Sequence, residues 1–107
     1  MLFSTTDIEG VLIYEPKVIN DERGYFFESF RSSYFEDLGI TRPFIQDNQA
    51  FSTKGALRGL HYQTGAYAQA KLVRVLLGEV LDVVVDIRPE SKTFGQHYKI
   101  ILSGDNH

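Results

Sequence analysis

Apolar and polar residues alternate along this chain in short runs broken by turn-forming residues, and only one stretch has helical spacing. Val11-Leu12-Ile13-Tyr14 predicts a strand, ended by Glu15-Pro16. Asn20-Asp21-Glu22-Arg23-Gly24 predicts a turn in which Gly24 takes a positive φ, and residues 25–30 predict an aromatic strand after it. Ser33 and Glu36 have capping-box spacing, Tyr34, Phe35 and Leu38 supply an apolar face, and Gly39 suits the position just past a helix end. A short helix is therefore expected near residues 33–38. Strands resume at Phe44-Ile45-Gln46. The runs 71–77 and 80–88, joined at Gly78-Glu79, predict a hairpin. Within its second arm Leu81, Val83, Val85 and Ile87 share one face, and Asp82, Val84, Asp86 and Arg88 share the other. Residues 98–102 predict a further strand, followed by the turn Ser103-Gly104-Asp105-Asn106.

This pattern predicts an all-β fold with one short helix, as a sandwich, jelly roll or barrel. The strands number roughly six, against about eight in a jelly roll. An edge strand left unpaired would invite a second chain. At 107 residues the chain makes a single domain, 1–107, and 43% hydrophobic residues suffice for a core. A net charge of −3 gives no reason to expect nucleic acid or an anionic membrane as partner. With no cysteine, disulfides and thiolate metal sites are excluded. Neither a signal peptide nor a run of membrane-spanning length is visible, so a soluble cytoplasmic protein is expected.

The chemistry concentrates in Gly55-Ala56-Leu57-Arg58-Gly59-Leu60-His61-Tyr62-Gln63. A histidine flanked by glycines is either a hydrogen-bonded core residue or a base at the mouth of a cavity, where the glycines let a ligand approach the backbone. Lys71, ten residues on, opens an apolar run whose two faces are both largely apolar. Its ammonium must reach water, a partner or a substrate. The spacing of Gly55, His61 and Gly78 follows the first motif of the metal-binding jelly rolls called cupins. Gln63 and Lys71, however, replace two of that motif's metal ligands. An ammonium offers no lone pair and repels a cation, so a metal-free pocket is expected. A neutral imidazole can take a proton α to a ketone while a fixed cation stabilises the enolate, the minimum set for epimerisation.

Arg23, Arg58 and Arg74 could hold phosphates through paired hydrogen bonds, and Gln46-Asp47-Asn48 could read a base or sugar edge. Each has an ordinary alternative as turn, loop or rim chemistry, and for Arg74, Asp82 and Asp86 that alternative is preferred.

Four ordered blocks carry a specific resemblance: Asp21-Glu22-Arg23-Gly24-Tyr25-Phe26-Phe27-Glu28; Gln46-Asp47-Asn48; Lys54-Gly55-Ala56-Leu57-Arg58-Gly59-Leu60-His61-Tyr62-Gln63; and Lys71-Leu72-Val73-Arg74-Val75 with residues 82–88. Together they resemble the dTDP-4-dehydrorhamnose 3,5-epimerase family over nearly the whole chain. The resemblance implies a cupin-type jelly roll (a double-stranded β-helix), C-terminally truncated relative to the family, and normally a homodimer. It implies epimerisation of dTDP-4-dehydro-6-deoxy-D-glucose at C3 and C5 in dTDP-L-rhamnose synthesis, without metal or cofactor. His61 would be the proton acceptor and Lys71 the enolate stabiliser. Arg23, Glu28, Gln46, Asp47, Asn48 and Arg58 match positions that contact the nucleotide sugar, and Arg23 or Glu28 could serve a partner's site. The family's tyrosine acid, second histidine and orienting aspartate match nothing in residues 1–107. Arg58 and His61 differ in parity, so a bulge near Gly59 or separate duties must accommodate them. The competing expectations are a 3-epimerase or ketoisomerase of nucleotide sugars, a nucleotide-sugar-binding module without turnover, and a metal-dependent cupin oxygenase. Gln63 and Lys71 argue against the last.

Overall fold

The computed structural model describes residues 2–107 as three antiparallel two-stranded ribbons, a short helix and a single 3₁₀ turn. The chain divides into two compact units, one formed by residues up to Ser29 together with Val73–His107, the other by Phe30–Leu72.

In the first unit, β1 (Phe3–Thr5) pairs with β2 (Leu12–Tyr14) in the register Phe3↔Tyr14, Ser4↔Ile13, Thr5↔Leu12. The rings of Phe3 and Tyr14 sit 5.0 Å apart as a cross-strand aromatic pair. Thr6 organises the connection: its hydroxyl accepts from the Ile8 amide at 3.2 Å and donates to the Val11 carbonyl at 2.9 Å. This curls Ile8 inward to 3% exposure, a burial worth about 1.5–3 kcal/mol.

β3 (Ile19–Asp21) and β4 (Gly24–Phe26) form a tight hairpin around Glu22-Arg23, with Gly24 at φ +138°. A residue with a Cβ would be strained at that angle, which is why glycine follows the turn. All six strand residues are exposed.

β5 (Glu79–Val85) pairs with β6 (His97–Ser103) along seven residues, from Glu79↔Ser103 to Val85↔His97. A buried polar cluster shapes the connection between them. The Asp86 carboxylate, 4% exposed as a residue, accepts from Arg88 Nε at 2.9 Å and from the hydroxyls of Ser91 and Thr93. Arg88 reaches on to donate to the Glu9 carbonyl at 2.9 Å, tying the β1–β2 turn to this loop. At the other end, Asn106 and Ser103 exchange amide-to-side-chain bonds at 3.0 Å, closing the turn after β6.

The second unit holds α1 (Ser32–Glu36). Phe35, 5% exposed, meets the rings of Phe30 at 5.2 Å and Phe44 at 5.4 Å, and this aromatic triad is the unit's core. The helix ends as its glycine predicts. Gly39, at φ +83°, donates to the Glu36 carbonyl and Ile40 donates to that of Phe35, the two bonds of a Schellman turn. The N-terminal expectation fails: the helix starts one residue earlier, Arg31 stands extended before it, and no side chain caps it. Beyond Phe44 the unit has no strand, only a 3₁₀ turn at Gly65–Tyr67.

A mostly β chain with a single short helix is thus observed, but several strand assignments change. The aromatic strand expected over 25–30 ends at Phe26, and no strand forms at 44–46. The hairpin expected between 71–77 and 80–88 does not form either: residues 71–77 lie outside any strand, and β5 pairs with β6. Composition marks a run as strand-like without naming its neighbour, and here the Asp86 cluster folds the connecting loop back and selects it. β1 and β3, three residues each, escaped the reading. The expected core is also thinner than 43% hydrophobic composition suggests. Ile8 and Phe35 are the buried apolar residues among those described, while Ile45, Leu57 and Leu77 are over 90% exposed. Two-stranded ribbons offer no second layer for these side chains to bury against.

Candidate functional site

The central motif lies in the second unit, on backbone outside any strand. Ala56 donates to the Thr53 carbonyl at 3.1 Å to make a turn, with Gly55 at φ +87°. Arg58 Nε donates to Ser52 Oγ at 3.0 Å and closes the loop from the other side. Among the described residues no other acceptor meets the guanidinium, and the residue is exposed. At Gly59 the chain turns through φ +120°, and the Gly59–Leu60 peptide is cis. A Cβ on Gly59 would make only ordinary contacts, 3.9 Å from the His61 amide nitrogen and 4.0 Å from its ring, so it is the positive φ that calls for glycine here. The parity difference between Arg58 and His61 disappears with the regular strand it assumed.

His61 and Lys71 both belong to this unit and both are exposed. Among the described residues, no hydrogen bond or ion pair engages either group. Gln46, Asp47 and Asn48 are exposed too, and Gln46 Nε2 donates to Asn48 Oδ1 across a long 3.4 Å. The predicted site residues of this unit are therefore presented to solvent. None of them lines the two clefts described below.

Arg23 and Glu28 belong to the first unit. Arg23 sits at the β3–β4 turn, where its amide donates to Asp21 Oδ1 at 2.8 Å and its Nη2 to Asp21 Oδ2 at 2.6 Å. The Arg23 guanidinium holds the Asp21 carboxyl below the ordinary carboxylate value. Glu28 is half-buried beyond the end of β4, and its carbonyl accepts from the Tyr14 hydroxyl at 2.7 Å.

The first unit also carries a cleft of about 190 Å³ lined by Tyr25, Phe27, Arg74, Val75, Leu76, Gly104 and His107. Arg74 stands 5.9 Å over the Phe27 ring, and the His107 ring lies 4.6 Å from Tyr25 and 4.8 Å from Phe27. A neighbouring cleft of about 390 Å³ runs past Leu77, Gly78, Glu79 and Asp105. The sequence predicts a rim charge at Arg74, and its stacking partner, 47 positions away, is a tertiary pairing that no local pattern announces. The Asp86 cluster has an Asp-x-Arg-x-x-Ser-x-Thr spacing, a legible signal of a side-chain-stabilised turn where only rim chemistry is expected. Among the described residues, no three His, Asp or Glu side chains gather as a metal site. No helix among them is long and apolar enough to cross a membrane.

Comparison with known proteins places these features. The sequence model of the dTDP-4-dehydrorhamnose 3,5-epimerases matches residues 5–107. A dTDP-4-dehydrorhamnose 3,5-epimerase of Shigella flexneri is 57% identical over 102 residues, covering 94% of this chain and 56% of the relative. One from Methanothermobacter thermautotrophicus is 46% identical, covering 97% and 56%. Among solved structures, the Elizabethkingia anophelis enzyme superposes with a TM-score of 0.91 at 48% identity, over 97% of this chain and 57% of its own. A Legionella pneumophila 3,5-epimerase crystallised with dTDP-4-keto-L-rhamnose gives 0.91 at 55% identity, over 97% and 55%. The fold and the sequence place the chain among nucleotide-sugar epimerases. More specifically, it belongs to the dTDP-4-dehydrorhamnose 3,5-epimerase family. It spans a little over half the length of these relatives.

Proposed function

We propose that this chain carries the base and the enolate-stabilising cation of a dTDP-4-dehydrorhamnose 3,5-epimerase. Its substrate is dTDP-4-dehydro-6-deoxy-D-glucose, in dTDP-L-rhamnose synthesis. The 4-keto group acidifies the protons at C3 and C5. His61 takes them, and Lys71 stabilises the negative charge that collects on the carbonyl oxygen. Arg23 and Arg58 pair with the diphosphate, while Glu28, Gln46, Asp47 and Asn48 hold sugar and base edges. The observation that carries this reading is the family match, whose range, residues 5–107, includes every one of these positions.

The matched stretch spans nearly the whole chain, which supports a cupin-type jelly roll. The protein works as a homodimer in the cytoplasm, without nucleic acid or membrane as partner. It uses neither metal nor cofactor: an ammonium at position 71 repels a cation and offers it no lone pair, and Gln63 stands where the metal-binding motif has its second histidine.

Incubation of the substrate with this protein in D₂O tests the reading. Deuterium entering at C3 and C5 is the expected result, and no label at either carbon defeats it. Label at one carbon would indicate a 3-epimerase or ketoisomerase. A second reading, binding without turnover, is favoured by the solvated His61, which no carboxylate among the described residues orients. It requires thymidine diphosphate to bind while exchange is absent.

A further inference from the structure

Glu28 follows β4, outside any ladder, so its backbone position depends on side-chain contacts. The Tyr14 hydroxyl donates to its carbonyl at 2.7 Å, a full-strength O–H···O geometry. Tyr14 is the last residue of β2 and is itself fixed by pairing with Phe3, ring against ring at 5.0 Å. Just beyond it, the Glu15 amide donates to the Leu2 carbonyl at 2.7 Å and Ser4 Oγ donates to Glu15 Oε2 at 2.8 Å, closing the open end of the ribbon. The turn end of the same ribbon is held by Arg88, whose Nη2 donates to the Glu9 carbonyl at 2.9 Å. Arg88 in turn is clamped by the buried Asp86 carboxylate, through Nε at 2.9 Å and Nη2 at 3.0 Å. The β1–β2 ribbon is thus anchored at one end to the polar cluster beyond β5 and at the other to the backbone of Glu28.

We propose that this ribbon is a positioning strut, and that Tyr14 is the positioning residue that sets Glu28 for its ligand. The inference rests on the proposed role of Glu28 in holding the nucleotide sugar. A carboxylate meeting a sugar hydroxyl must sit within about 0.5 Å of its working position, and a residue outside a ladder reaches that precision only through supporting bonds. Tyr14 touches no substrate in this account. It acts through its hydrogen bond to the Glu28 carbonyl.

Tyr14→Phe keeps the ring against Phe3 and removes only the hydroxyl, so two measurements on it decide the matter. In the first, backbone ¹⁵N order parameters at residues 27–29 should fall from rigid values of about 0.85 toward about 0.6 while β5 and β6 stay unchanged. Unchanged order parameters at 27–29, or a uniform fall across the chain, overturn the strut. In the second, the affinity for dTDP-4-dehydro-6-deoxy-D-glucose is compared in Tyr14→Phe, Glu28→Gln and the double variant. Tyr14→Phe should weaken binding about two- to tenfold alone and have no further effect once Glu28 is Gln. Additive losses would show that Tyr14 acts by another route and overturn the proposal. If the unaltered chain fails to bind the sugar, the functional reading falls, and the order parameters still decide whether Tyr14 fixes Glu28.

Discussion

Gly104 marks a seam where two stretches of backbone touch. It directly follows β6, and its amide donates to the Gly78 carbonyl at 3.0 Å. A Cβ built there would lie 2.7 Å from the Leu76 carbonyl oxygen, 3.3 Å from the Leu76 carbonyl carbon and 3.3 Å from Leu77 Cα. Every one of these neighbours is backbone, so no side chain can rotate aside. Gly104→Ala must therefore push the 76–78 segment away by roughly half an ångström to restore van der Waals contact. Overpacking of this kind costs about 1–3 kcal/mol. Stretching the Gly104–Gly78 hydrogen bond adds up to about 1 kcal/mol. The loss of glycine's freedom in the unfolded chain offsets about 0.4–1 kcal/mol. The balance is a destabilisation of about 1–3 kcal/mol. Urea unfolding followed by far-ultraviolet circular dichroism reads it, and with a slope of about 1–2 kcal/mol/M the midpoint should fall by roughly 1 M. Hydrogen exchange should quicken at the Glu79–Ser103 end of the β5–β6 ribbon before the Val85–His97 end. An unchanged or raised midpoint would refute the backbone contact and the pairing built on it.

Two other perturbations follow from the packing and the charges. Phe35→Ala removes the buried ring between Phe30 and Phe44 and should cost about 3–5 kcal/mol, read by urea unfolding and by faster exchange over Ser32–Glu36; a change under about 1 kcal/mol would contradict the aromatic core. Asp86 is held well below the ordinary carboxylate value, chiefly by Arg88, then by Ser91 and Thr93. Its ionised form is thus favoured by folding, so its contribution is complete above the unfolded value near 3.8 and fades as the pH drops below it. Asp86→Asn should be less stable than the unaltered chain at pH 7, with the gap narrowing below about pH 4. Parallel stability curves between pH 7 and pH 2 would contradict that assignment.

Much of the architecture was legible from short-range chemistry, and the misses have a common cause. β6 and most of β5 announced themselves through alternating Val, Leu and Ile, and the helix end through Gly39. The partner of β5 was not legible, because it is chosen by side chains of the intervening loop folding onto Asp86. The helix start was misplaced because Ser33 has cap-like spacing but lies inside the first turn. For the site, motif spacing singled out His61 and Lys71 and the resemblance assigned their roles, yet both stand on irregular exposed backbone where strand parity does not apply. The hydrogen bond from Tyr14 to Glu28 joins residues fourteen apart in sequence and belongs to tertiary structure alone.

The division of labour between His61 and Lys71 is tested most directly by the rate of solvent deuterium exchange at C3 of dTDP-4-dehydro-6-deoxy-D-glucose, compared among the unaltered protein, His61→Gln and Lys71→Met. A positioned general base contributes about 10²–10⁴ in rate, and removing an oxyanion stabiliser costs about 10²–10³. Exchange should therefore fall at least about a hundredfold in each variant. Exchange persisting within about tenfold of the unaltered rate in either variant would show that the proton leaves the sugar without that residue's help.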